Sequence, residues 1–210
     1  MQPATEAQAG EAVLLWPVVL SPQLAVSEAR STAGMRTKER IVQVFAKLLD
    51  AVPYESITVL QIADACGVSR QTFYNHFFDK NDLVNWICER FLRETVYQSG
   101  ARIAWRDAFA LYLEALRSNQ RFFVALLQGP EAAQLVGAHS EMVYEYLNNV
   151  YMRSTGEVLD HGGMFAVKMF SYGVICALAN WLYSGTATPV DAIVDGTEAA
   201  MPPFIRQLFV

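Results

Sequence analysis

Histidine and cysteine are scarce in this chain. Its 210 residues hold three of each: His76, His139 and His161, and Cys66, Cys88 and Cys176. None stand at metal-ligand spacing and there is no CxxC, so neither a metal site nor a disulfide framework is expected. An odd number of thiols in a chain of this length fits a reducing cytoplasm. A Gly-rich phosphate loop is also missing, and no apolar–polar alternation exceeds four residues, which leaves no basis for a sheet. His139-Ser140-Glu141 is contiguous, and on a helix that arrangement points the side chains apart, so it makes a poor triad. The residues carry no catalytic constellation, and no enzyme and no cofactor are expected. Charge is sparse as well, 18% of residues with a net of −5. That excludes a chain that coats nucleic acid by bulk charge, though not one carrying a small DNA-reading module. Long hydrophobic runs are few. Residues 12–20 are too short to span a bilayer, are broken by Pro17 and follow no Lys or Arg. Met164–Tyr183 has the length but contains Lys168, Ser171 and Asn180, and reads as a buried helix of a soluble protein. No membrane partner is expected.

Apolar side chains make up 53% of the chain, which rules out a disordered scaffold. Residues 1–34 lack sustained periodicity and read as a poorly ordered extension, with Met35 an alternative start to Met1. From Thr37 apolar residues recur at helical spacing through Ile41, Val44, Phe45, Leu48 and Leu49, until Pro53 stops the pattern. Thr58 and Gln61 form a capping box for a second helix that ends at Gly67. Ser69 caps a third, with Phe73 and Phe77 as its apolar face, and Asp79 caps a fourth running towards Ser99. Further helices are predicted over Trp105–Arg117, Gln120–Gln128, Glu131–Tyr151, Gly163–Tyr183 and Pro189–Phe209, the last interrupted by Pro202 and Pro203. The fold class is all-α: an N-terminal three-helix bundle over 35–84, then a larger helical domain over 85–210.

The informative stretch is residues 57–80. Ala63 supplies the small side chain where two helices meet steeply, and Gly67 tolerates positive φ at the corner. With Ile62, Val68, Phe73 and Phe77 facing inward, Arg70, Gln71, Thr72, Tyr74, Asn75 and His76 project outward on the third helix. Arg, Gln and Asn bond base edges in pairs, Thr bonds or touches a thymine methyl, and Tyr and His suit phosphates. This is the pattern of a helix-turn-helix with a recognition helix. Residues 35–95 carry eight Lys or Arg and eight Asp or Glu, so positive potential must be local.

The run Ile57-Thr58-Val59, Ile62-Ala63, Gly67-Val68-Ser69, Thr72-Phe73-Tyr74, His76-Phe77 and Asp79-Lys80 resembles the DNA-binding domain of TetR-type transcriptional regulators. Pro53-Tyr54 and Asp82–Ile87 are similar to the branch found near dihydroxyacetone kinase operons. The resemblance implies a homodimer on a near-palindromic double-stranded DNA operator, with a C-terminal domain that dimerises and senses a small-molecule effector. One branch of the family answers instead to a protein co-regulator, which keeps a helical protein partner as the alternative. Carried over residue by residue, Arg70, Gln71 and Thr72 match base-proximal positions, Tyr74, His76 and Lys80 phosphate-proximal ones, and Thr58 a phosphate contact. Leu60 and Phe78 depart from the polar or basic residues common there.

For the second domain, Phe109, Tyr112, Phe123, Tyr144, Phe165 and Tyr172, together with Trp105, Phe122 and Met169, are candidates for lining a ligand pocket and equally for filling a solid core. Lys168, on the same apolar helix, needs an anionic partner or a route to water. Gly173, Ala177 and Trp181 recur every four residues on a helix that is apolar nearly all round, and form a ridge for a dimer interface.

Overall fold

The computed structural model describes residues 33–100 and 103–209; the expected extension over residues 1–34 lies outside them except for its last two residues, which are helical. No strand occurs among the described residues beyond one isolated bridge between Ser99 and Ile103. The first helix, α1 (Ala33–Ala51), opens at Ala33, so Gly34 and Met35 belong to it. It buries Ile41, Val42, Phe45, Ala46 and Leu49 along one stripe. A short 3-10 turn over Tyr54–Ser56 follows Pro53 and leads to α2 (Val59–Cys66). The capping box forms as the residue types require: the Gln61 N–H donates to Thr58 Oγ1 at 3.2 Å, and the Thr58 N–H to Gln61 Oε1 at 2.8 Å.

Gly67 ends α2 in the left-handed region, φ 65°. Ser69 caps α3 (Arg70–Tyr74), and Asp79 caps α4 (Lys80–Glu94) by accepting the Asp82 N–H at 2.7 Å. Two ends differ from the sequence expectation. The third helix stops at Tyr74, yet a turn through His76 still delivers Phe77 to the interior, 2% exposed. The fourth stops at Glu94 because Thr95 leaves helical geometry (φ −124°, ψ −90°) and turns its hydroxyl back onto the Phe91 carbonyl.

The second part of the chain comprises α5 (Trp105–Ser118), α6 (Gln120–Leu127), α7 (Ala132–Thr155), α8 (His161–Tyr183), α9 (Val190–Ala200) and α10 (Pro203–Arg206). Gly156, at φ 75°, reverses the chain so that α8 runs back along α7. Pro202 and Pro203 break the last expected helix into α9 and α10. The division drawn at residue 84 falls inside the continuous helix α4. Buried side chains form one cluster from Ile41 to Ile205, and aromatic edges bridge the two parts: Phe45 meets Phe122 at 6.1 Å and Phe91 meets Phe123 at 5.4 Å.

Gly67 offers a direct check on the corner. A Cβ there would meet only Arg40 Nη2 at 3.6 Å, an ordinary contact, so a substitution is penalised through φ alone. Gly67→Ala should lower stability by about 1 kcal/mol, read as a drop of several degrees in melting temperature by circular dichroism.

Candidate nucleic-acid interface

The local caps fix which side chains of α3 reach solvent. Ser69 accepts the Thr72 N–H at 3.0 Å, and the two hydroxyls lie 2.9 Å apart, which half-buries Thr72. Phe73 is fully buried and edge-on to Tyr74 at 5.8 Å, so the helix cannot roll without exposing it. Arg70, Gln71, Tyr74 and Asn75 are left exposed on the outer face, with Tyr74 51% accessible. Gln71 Nε2 donates to Asn75 Oδ1 at 3.1 Å, which pre-orients two amides of the kind that read base edges. Thr58 is exposed at the start of α2, and His76 is half-buried behind the turn. Leu60 and Phe78, the two departures from the resembling pattern, are 47% and 83% exposed.

Lys80 departs from its expected phosphate-facing position. Its Nζ donates to the Tyr54 carbonyl at 3.0 Å and lies 3.6 Å from Glu131 Oε1. The side chain points inward because α4 begins beside the Tyr54–Ser56 turn, where the Tyr54 and Glu55 carbonyls and the Glu131 carboxylate attract it. Tyr54 and Glu131 were not legible as site residues. The signal for Tyr54 was an aromatic after Pro53 whose hydroxyl, once buried, needs a partner, and that partner is Asn81.

The proposed pocket residues converge only in part: Tyr112 and Phe123 line one small cavity, and the others do not join them there. Phe109, Tyr112 and Phe123 are buried in the core, whereas Phe165 and Tyr172 are 67% and 39% exposed. The cause is the phase of α8, which turns Val167, Ser171, Ile175 and Leu178 inward and so places Phe165, Lys168 and Tyr172 elsewhere. Lys168 finds its anion in Glu141 at 3.1 Å, which also accepts from the Tyr172 hydroxyl, and lies over the half-buried Tyr144 ring at 4.8 Å. That hydrogen bond to Glu141 raises the Lys168 pKa. The same phase gives the helix one face on its own domain and leaves the other uncovered. α8 is long and apolar enough to cross a membrane by length and composition, but its inner face packs on α6 and α7. Gly173 and Ala177 are exposed, while Trp181 is 5% exposed with its indole N–H donating to the Thr188 carbonyl at 2.9 Å. The ridge therefore keeps two small residues outside and loses its tryptophan to the interior.

Among the described residues, no cluster of His, Cys, Asp or Glu has metal-binding arrangement. Ser140 donates its hydroxyl to the Val136 carbonyl, away from His139. His139 instead borders a cavity of about 50 Å³ shared with Val84, Cys88, Tyr112, Phe123 and Leu135. Burial pushes its imidazole down to about 4, against a weaker opposing effect of the Leu135 carbonyl 3.3 Å from Nδ1. The folded state thus holds the ring neutral, while the unfolded chain takes up a proton near pH 6.5. Stability from this group is complete at neutral pH and falls as pH drops from about 6.5 towards 4. Urea unfolding should give about 2 kcal/mol less stability at pH 5 than at pH 7, and His139→Leu should remove most of that difference.

Residues 41–87 match the sequence model of the family described as "Bacterial regulatory proteins, tetR family". The dhaKLM operon transcriptional activator DhaS of Lactococcus lactis subsp. lactis (strain IL1403) is 31% identical over 87 residues, 41% of this chain and 46% of that protein. The chain thus matches less than half the length of that relative. In three dimensions, a dihydroxyacetone kinase operon activator DhaS superposes with a TM-score of 0.57 at 19% identity, covering 79% of this chain and 93% of the other. The Thermus thermophilus repressor FadR, solved in complex with lauroyl-CoA, gives 0.51 at 15% identity, covering 78% and 92%. Over residues 41–87, its capped helix-turn-helix is that of the tetR family of bacterial regulatory proteins, and the helical body behind it shares the fold of solved regulators of this kind.

Proposed function

We propose that two copies of this chain bind a near-palindromic operator, each placing α3 in the major groove of one half-site. The observation that carries this reading is the exposed set Arg70, Gln71, Tyr74 and Asn75 on a helix locked by its caps and by Phe73. Arg70 and the Gln71–Asn75 pair face base edges, while Thr58 and Tyr74 face the backbone. Pairing is supported by the outer face of α8, where Phe165, Met169, Tyr172, Gly173 and Ala177 lie exposed. Between α8 and α9 runs a groove of about 980 Å³ to which α9 contributes Gly196 and Ala200. A patch of this kind suits a second copy packed at close helix–helix distance over the small residues. The compartment is the cytoplasm, where DNA is found and where the three free thiols stay reduced.

Control by an effector acts on the helical body. The Thermus FadR relative carries lauroyl-CoA, but the cavity beside His139 is about 50 Å³, far below the roughly 300 Å³ of a ligand site. A small effector bound at that cavity has to widen it. The second reading is a protein co-regulator that docks on the body and shifts its helices from outside.

The duplex recovered by the protein from a random pool gives the probe. By fluorescence anisotropy, Arg70→Ala and Gln71→Ala should each weaken binding by about 1–3 kcal/mol and relax preference at particular base pairs. Binding at parental strength by both would remove α3 from the groove. Gly173→Arg or Ala177→Arg should give a folded protein that sediments as a monomer and binds the same duplex at least about tenfold more weakly, since one half-site holds poorly alone. An unchanged dimer would place the interface elsewhere.

A further inference from the structure

Three parts of the chain that are distant in sequence meet at the ammonium of Lys80. Nζ lies 3.0 Å from the Tyr54 carbonyl, 3.4 Å from the Glu55 carbonyl and 3.6 Å from Glu131 Oε1. The ammonium thus donates to the two carbonyls and pairs by charge with the carboxylate. The amine also sits 4.3 Å from the centre of the Tyr54 ring. Only 17% of the Lys80 side chain and 30% of Glu131 remain accessible. Tyr54 is wholly buried, donates to Asn81 and packs edge-on to Phe45 at 6.1 Å. Glu55 leans on the same place: its Oε2 lies 2.9 Å from where a Cβ on Gly129 would stand.

Each component leads somewhere different. The Tyr54–Ser56 turn runs into Thr58 and α2, the first helix of the DNA-reading corner. Lys80 opens α4, immediately after the recognition helix and its turn. Glu131 opens α7 after the turn that leaves α6. The ends of α6 and α7 on either side of that turn supply Leu126, Leu127, Leu135 and His139 to the cavity, and α4 supplies Val84 and Cys88.

We propose that Lys80 is a positioning residue for operator binding, not a phosphate contact: its pairing with Glu131 fixes the DNA-reading corner on the α6–α7 turn. The proposal rests on the DNA-binding reading above and adds how the body controls the head. Whatever widens the cavity displaces the two helix ends that carry Glu131, loosens its hold on Lys80 and lets the recognition helix drift from its set angle. Glu131 belongs to the body and lies outside the α2–α3 face; removing its negative charge would by field alone strengthen DNA binding, so a loss of affinity on its removal points to the joint.

The test uses the full chain and the duplex selected by the unaltered protein, with affinity measured across a range of salt concentrations. Glu131→Gln and Lys80→Gln should each weaken binding about threefold to tenfold, and the double variant should be no weaker than the worse single one. Neither should alter the slope of log affinity against log salt, whereas a lost phosphate contact lowers that slope by about one for each half-site. Lys80→Met keeps the aliphatic stem over Tyr54 and checks that any loss comes from the charge; melting temperature confirms that each variant is folded. Parental affinity for Glu131→Gln, or a lowered salt slope for Lys80→Gln, would overturn the proposal. Arg70→Ala separates the two readings: if it too binds normally, DNA recognition by α3 fails, whereas if it alone loses affinity, only the joint is wrong.

Discussion

One helix has to satisfy two interiors. α4 buries Leu83, Val84, Ile87, Cys88, Phe91 and Leu92, a stripe wide enough to face α1 and the recognition corner near its start and the body near its end. Removing any part of that stripe from water is favourable at roughly 25 cal/mol per Å² of apolar surface, so the two ends cannot be rotated independently without exposing one of them. The helix-turn-helix is therefore carried on the same rigid element that walls the cavity beside His139. No linker separates the two: α4 runs unbroken from one to the other.

What was legible in the sequence was whatever is decided locally. Thr58 with Gln61, Ser69, Asp79 and Gly67 signal their helix ends through interactions within three or four residues, and all of them take those positions. The outward set on α3 followed from the same logic, because burying Phe73 and Phe77 leaves few other faces for Arg70 and Gln71. The direction of Lys80 was not legible, since it is set by Glu131, which lies far along the chain and approaches only once α6 and α7 are folded. The phase of α8 was hidden for a different reason. A helix that is apolar nearly all round gives no amphipathic signal, so the sequence could not say whether Phe165 or Val167 faces inward. The aromatic candidates for a pocket were split between core and surface by that one rotation.

The two exposed departures from the family pattern lie on the same head. Leu60 and Phe78 offer no hydrogen bond, and whatever they touch in a bound state they touch by packing. On α3, by contrast, the exposed amides of Gln71 and Asn75 hold one another. The head therefore relies on a few pre-oriented groups instead of a broad polar surface.

The ion pairs of the head bear on how such a protein holds duplex DNA. Arg90 is held by Glu39 and Glu94, Arg93 by Glu89 and Lys80 by Glu131, while Lys38 rests over the rings of Phe77 and Trp86. Cations so occupied neutralise few phosphates, and non-specific affinity for duplex DNA rises with the number neutralised. Under the operator-binding reading proposed above, one head alone has a weak non-specific hold on duplex DNA, and tight binding has to come from two heads engaged at once.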